Sequence, residues 1–82
     1  MKHDKTHVEI IQECAELLTR IGKPQFSRRD IIELMRWKYG DINENTVNPM
    51  IQGMTDNLQG GAPGAVGGNV LHSVANGVFE LH

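Results

Sequence analysis

Two adjacent arginines, Arg28 and Arg29, open one helical stretch of this chain, and four uncharged polar residues, Asn45, Thr46, Asn48 and Gln52, line the start and outer face of the next. Guanidinium groups present several fixed N–H donors and suit phosphate oxygens. Two of them at a helix start oppose the macrodipole, a small local cost that fits an anion-binding role. Asn and Gln amides can pair bidentately with adenine in the major groove. Asn76, at an Asn-Gly turn, is placed to brace a nucleic-acid backbone. Each residue also has a plain structural reading. The arginines then form a solvated pair beside Asp30, and the amides are caps and ordinary surface positions.

Other chemistries find less support. The stretch over residues 59–69 reads Gln-Gly-Gly-Ala-Pro-Gly-Ala-Val-Gly-Gly-Asn. A phosphate-cradling P-loop ends in Gly-Lys-Ser/Thr, and this stretch contains no lysine. A dinucleotide fingerprint follows a strand and opens a helix, whereas here a helix precedes and a strand follows. Cys14 falls on an apolar helix face, where a thiol is inert. His3, His7, His72 and His82 match no zinc-ligand spacing. The acids are scattered, so the expectation is a protein without catalytic activity, metal or cofactor. Trp37 lies between Arg36 and Lys38, as a base-stacking aromatic would. The favoured reading is a partly buried residue at the edge of a small core.

The elements that position these residues are legible from periodicity and punctuation. Val8, Ile11, Ala15 and Leu18 form a helical stripe, widened by Ile10, Cys14, Leu17 and Ile21, which predicts a first helix over 7–21. Gly22 and Pro24 end it. A short extended connector follows, able to bridge to a later hairpin. Phe26-Ser27-Arg28-Arg29-Asp30-Ile31 is a helix start in nearly complete form. Ser27 caps, Asp30 takes the reciprocal position of a capping box, and Phe26 and Ile31 form a hydrophobic staple. The second helix is predicted over 28–38, with Ile31, Leu34 and Met35 inward, Ile32 and Tyr39 at the edge, and Gly40 as its stop.

The third helix carries three candidate caps, Asn43, Asn45 and Thr46. Pro49 favours the later two, because a proline inside a helix loses a bond and crowds the preceding turn. The span expected is 46–58, with Val47, Met50, Ile51, Met54 and Leu58 inward. Gly53 marks a close helix–helix approach. A loop over 59–69 then leads into a β-hairpin over 70–82. Its strands flank Asn76-Gly77, a pair that supplies the positive φ angles of hairpin turns.

The 82 residues form one domain with a core large enough to fold but little stability to spare. Hydrophobic residues make up 39% and charged residues 22%, the balance of a globular chain. No apolar run approaches the roughly 20 residues that span a bilayer, and the first residues lack the apolar core of a signal peptide. With a single cysteine no intrachain disulfide can form, so a cytoplasmic location is expected. The net charge is −2. Free-standing DNA binders usually carry a basic excess, since counterion release supplies most of their affinity.

The order helix, Phe-Ser-x-x-Asp-Ile helix, Asn-x-x-Thr-Val helix and closing hairpin Gly77-Val78-Phe79-Glu80-Leu81 resembles small winged-helix domains of restriction–modification systems. It also resembles the HARE-type helix-turn-helix domains attached to DNA-modifying and chromatin proteins. The resemblance covers roughly residues 8–81. It implies a mainly α fold with a C-terminal β-hairpin, a winged helix-turn-helix of three helices plus a wing. It further implies an accessory module that binds double-stranded DNA weakly, within or beside a larger DNA-processing assembly. The nucleic-acid contacts expected are Arg28, Arg29, Asn45, Thr46, Asn48, Gln52 and Asn76. The competing expectation is a winged helix that docks a protein partner or a second copy without affinity for DNA.

Overall fold

A computed structural model describes residues 6–61 and 69–82. The middle of the predicted glycine-rich loop, 62–68, therefore lies outside the described residues. Helix α1 spans His7–Arg20, strand β1 Gln25–Phe26, helix α2 Arg28–Tyr39 and helix α3 Glu44–Met54, followed by strands β2, Leu71–Ala75, and β3, Val78–Leu81.

Local chemistry sets most of these boundaries. Thr6 caps α1 through a capping box with Glu9. Beyond Arg20, Gly22 N–H bonds the Thr19 carbonyl and Lys23 N–H bonds the Leu18 carbonyl, which closes the helix one residue earlier than expected. Ile21 is left outside the apolar stripe and 67% exposed. The Ser27 hydroxyl accepts from Asp30 N–H at 3.1 Å while the Asp30 carboxylate accepts from Ser27 N–H at 2.9 Å, the capping box read from the sequence. Its flanking staple residues, Phe26 and Ile31, are both buried.

The third helix departs from the expected span at both ends. Asn43 is its cap: the side chain accepts from Asn45 N–H at 2.9 Å, and the carbonyl accepts from Thr46 and Val47. Pro49 consequently stands inside the helix. The missing bond leaves the Asn45 carbonyl without a helical donor, at an exposed position where water can serve it. At the other end the helix stops at Met54 because the following backbone is recruited by the sheet. Thr55 bridges Leu71 in parallel, Asp56 N–H bonds the Leu71 carbonyl, and Val70 N–H bonds the Met54 carbonyl. Leu58 still packs on the core, but from beyond the helix.

The three strands form a sheet in the order β1-β3-β2, antiparallel throughout. The two-residue β1 pairs Gln25 with Glu80 and Phe26 with Phe79, so the connector does bridge to the hairpin. At the hairpin turn only Gly77 takes a positive φ, 76°; Asn76 does not. A bulge between Ser73 and Ala75 absorbs the register and turns Val74 outward. The Asn57 amide pairs with the Ser73 backbone as a strand would, donating at 2.8 Å and accepting at 2.9 Å, and so covers part of the β2 edge.

One core joins the layers. Ile10, Ile11, Cys14, Ala15 and Leu18 of α1 meet Ile31, Ile32 and Met35 of α2 and Val47, Ile51 and Met54 of α3, closed by Phe26, Leu71 and Phe79. Ile32 is fully inside rather than at the edge, and Leu34 is only half-buried. The architecture is a mainly α winged helix: three helices and a C-terminal antiparallel wing.

Candidate nucleic-acid interface

Arg28 occupies the first position of α2, where the core side of the helix meets α3 and the wing. One Nη donates to the Asn48 carbonyl at 3.0 Å and the other to Gln52 Oε1 at 2.5 Å. Its guanidinium carbon lies 5.1 Å from the centre of the Phe79 ring. Burial pulls the guanidinium below its ordinary pKa. Arg28 is thus a half-buried tie between α2, α3 and β3, not the solvated residue of the plain structural reading. Two of its five N–H donors are engaged here.

Gln52 is similarly committed. Besides accepting from Arg28, its Nε2 donates to the Gln59 carbonyl at 2.8 Å. Each end of the amide thus carries one bond, and these two bonds fix its orientation toward Arg28 and Gln59. The segment that holds it also lies on α3. A Cβ added to Gly61, which has φ of 105°, would sit 2.4 Å from Gly53 N and 2.7 Å from the Pro49 carbonyl. Gly53 therefore marks a close approach of the chain after the helix, not of a second helix. This backbone lies against α3 at Pro49 and Gly53.

The first turn of α3 is open. Asn45 and Thr46 are exposed, while Asn48 is half-buried with an Oδ1 that has no partner. Arg29 is exposed, but Glu44 at the start of α3 stands between it and Arg36, 3.7 Å from the first and 2.7 Å from the second. Other cations are paired too: Lys23 lies 3.2 Å from Asp30, and Lys38 bonds Glu13, which also accepts from the Tyr39 hydroxyl. Trp37, expected at the core edge, is 80% exposed, because it points away from the stripe formed by Ile31, Ile32 and Met35.

Three of the seven predicted residues nevertheless come together. Arg28 from α2, Gln52 from α3 and Asn76 from the hairpin turn line one open cleft of about 330 Å³, with Leu58, Ser73, Ala75, Gly77 and Phe79 completing its wall. The sequence reading missed these last five as site residues, since only the strand register, the hairpin turn and the end of α3 bring them to the cleft. Arg29, Asn45 and Thr46 lie outside its wall, and so does Asn48, whose carbonyl helps hold Arg28.

The three-helix core, the helix pair α2–α3 and the sheeted hairpin define the class: a winged helix-turn-helix domain. Within that class, the chain belongs to the family described as a domain of unknown function, DUF7669, which it matches over residues 8–81. Comparison with curated proteins and with solved structures gives no match. Among the described residues no group of three or more His, Cys, Asp or Glu is placed to hold a metal ion, and no helix is long and apolar enough to cross a membrane.

Proposed function

We propose that this domain is a DNA-binding accessory module that engages the phosphate backbone at the cleft between α3 and the wing, within or beside a larger DNA-processing assembly. The observation that carries the reading is the convergence of Arg28, Gln52 and Asn76 on that cleft from three separate elements. A half-buried guanidinium, already oriented by two acceptors, offers its remaining donors to a phosphate with little ordering cost. Asn45 and Thr46 reach base edges from the open first turn of α3, and Arg29 adds a peripheral phosphate contact. With Gln52 tied to Arg28 and Gln59, binding is centred on the backbone and has little sequence preference.

The pairing of Lys23, Arg29, Arg36 and Lys38 with acids favours a second reading, a winged helix that docks protein or a second copy without affinity for DNA. An amide-resolved NMR titration with a short generic duplex, at low and at physiological salt, separates the two. Shifts at Arg28, Arg29, Asn45, Thr46 and Asn76 that fade as salt rises are expected for DNA binding. No shifts at low salt would overturn it in favour of protein docking.

A further inference from the structure

Trp37 is the only tryptophan of the chain and, among the described residues, the most exposed large hydrophobic one. Its two basic neighbours would make it a nucleic-acid stacking platform if they stood beside the ring, but both are held elsewhere. Arg36 turns to Glu44 of α3 at 2.7 Å, and Lys38 turns to Glu13 of α1. The cation–π contacts of the described residues also fall on other rings, Arg28 over Phe79 and Lys38 over Tyr39. The face that Trp37 shares is set by helical spacing. Exposed Glu33 lies four residues earlier and half-buried Leu34 three earlier. Helical spacing therefore puts a carboxylate-bearing residue and an apolar one on the side of α2 that carries the indole. A carboxylate there repels phosphate and attracts a cation, and an indole face is the best aromatic surface for one.

We propose that the outward face of α2 around Trp37, Glu33 and Leu34 is a docking surface for an arginine- or lysine-bearing segment of a protein partner. The cation stacks on the indole and pairs with Glu33, while apolar side chains beside it pack on Leu34. Large exposed aromatics of this kind anchor protein interfaces. The surface is separate from the cleft. Trp37 follows Arg28 by nine residues, about 13 Å along the helix axis, and lies on the opposite side of the helix. The inference does not rest on the DNA reading, and both surfaces can be occupied together.

Because Trp37 is the sole tryptophan, its emission reports on this face directly. The intact chain is titrated with a short peptide alternating arginine and leucine, with the same peptide carrying glutamate for arginine, and with a generic duplex. Amide shifts are recorded alongside. The expected result is a saturable emission change with the cationic peptide alone, with shifts centred on Glu33, Leu34 and Trp37. Glu33→Lys and Trp37→Ala, both at exposed positions, weaken binding by about fivefold or more. A Trp37 response to the duplex and not to the cationic peptide overturns the proposal in favour of base stacking. Peptide shifts centred on Glu9 and Glu16 of α1, unaffected by Glu33→Lys, overturn it as diffuse attraction to acids. Silence with all three ligands overturns it as well.

Discussion

Arg28 lies over Phe79 with its guanidinium carbon 5.1 Å from the ring centre, an arginine from a helix start resting on a buried residue of the wing strand. The same guanidinium bonds Asn48 and Gln52, so one side chain ties the entry of α2 to α3 and to β3. The wing is thereby held against the helix pair by a polar tie as well as by the apolar core. Arg28 then has two roles, as a support of the cleft and as a proposed phosphate contact, and the two can be separated by experiment.

Arg28→Ala is expected to destabilise the fold by about 1–3 kcal/mol, because it removes two charge-assisted bonds and the contact with Phe79. Arg28→Lys keeps the charge but loses the fork geometry, so it recovers only part of that loss. Arg29→Ala, with an exposed side chain 3.7 Å from Glu44, changes stability by less than about 0.5 kcal/mol. Urea unfolding of the three variants checks the ordering. If Arg28→Ala is as stable as the parent, Arg28 does not tie the elements together.

Glu44 holds Arg29 and Arg36 in a shared ion pair at the start of the helix expected to approach DNA. Glu44→Gln removes the competing carboxylate and frees both guanidinium groups. Affinity for a generic duplex should rise at low salt, and the slope of log affinity against log salt should steepen by about 0.9 for each phosphate newly neutralised. Fluorescence anisotropy across a salt series measures both. An unchanged slope would mean that neither arginine meets the backbone.

The fold was readable wherever a boundary depends on neighbours in sequence. Ser27 and Asp30 cap each other three residues apart, and Gly22 and Gly40 end helices by their own backbone freedom, so local chemistry was enough. The end of α3 was not readable. Val47, Ile51, Met54 and Leu58 keep helical spacing, yet Leu71, distant in sequence, captures the backbone of Thr55 and Asp56 and stops the helix at Met54. The start failed for a related reason: the Asn43 cap outweighs the burden of an internal Pro49 at an exposed position. The site residues followed the same division. Arg28, Gln52 and Asn76 could be picked by type, but their joining in a cleft, and the commitment of Gln52 to Arg28 and Gln59, depend on tertiary contacts that no spacing encodes.

The Asp30 carboxyl links stability to acid. Burial pushes its pKa up, but the Ser27 N–H and the Lys23 ammonium outweigh that, and the group stays below its ordinary value. The folded state therefore favours the ionised form. The stabilisation is fully present above the unfolded value, about pH 4, and is lost as pH falls through the lower folded value. Asp30→Asn should be less stable than the parent at neutral pH by a few tenths to about 1 kcal/mol after solvent screening. The gap should narrow towards pH 3. Unfolding curves at the two pH values test this, and a gap that stays constant would mean that the charge on Asp30 contributes nothing.

Gly60 and Gly61 offer a matched pair for testing whether the chain after α3 is seated on the helix. Both have positive φ, 83° and 105°, so alanine at either position carries a backbone penalty of about 1–2 kcal/mol. A Cβ at Gly60 meets nothing within 4 Å, whereas one at Gly61 meets backbone atoms of Gly53 and Pro49 closer than 3 Å. Backbone cannot swing aside as a side-chain tip can, so Gly61→Ala must lift the segment from α3. Gly61→Ala is therefore expected to be less stable than Gly60→Ala. It should also release the Gln52 amide from the Gln59 carbonyl, visible as a shift of the Gln52 side-chain NH₂ signals and faster hydrogen exchange there. If the outer face of α3 is closed to base edges only by this segment, the same variant should bind duplex DNA with greater dependence on sequence. Equal stability of the two alanine variants, with Gln52 unmoved, would show that the segment does not rest on the helix.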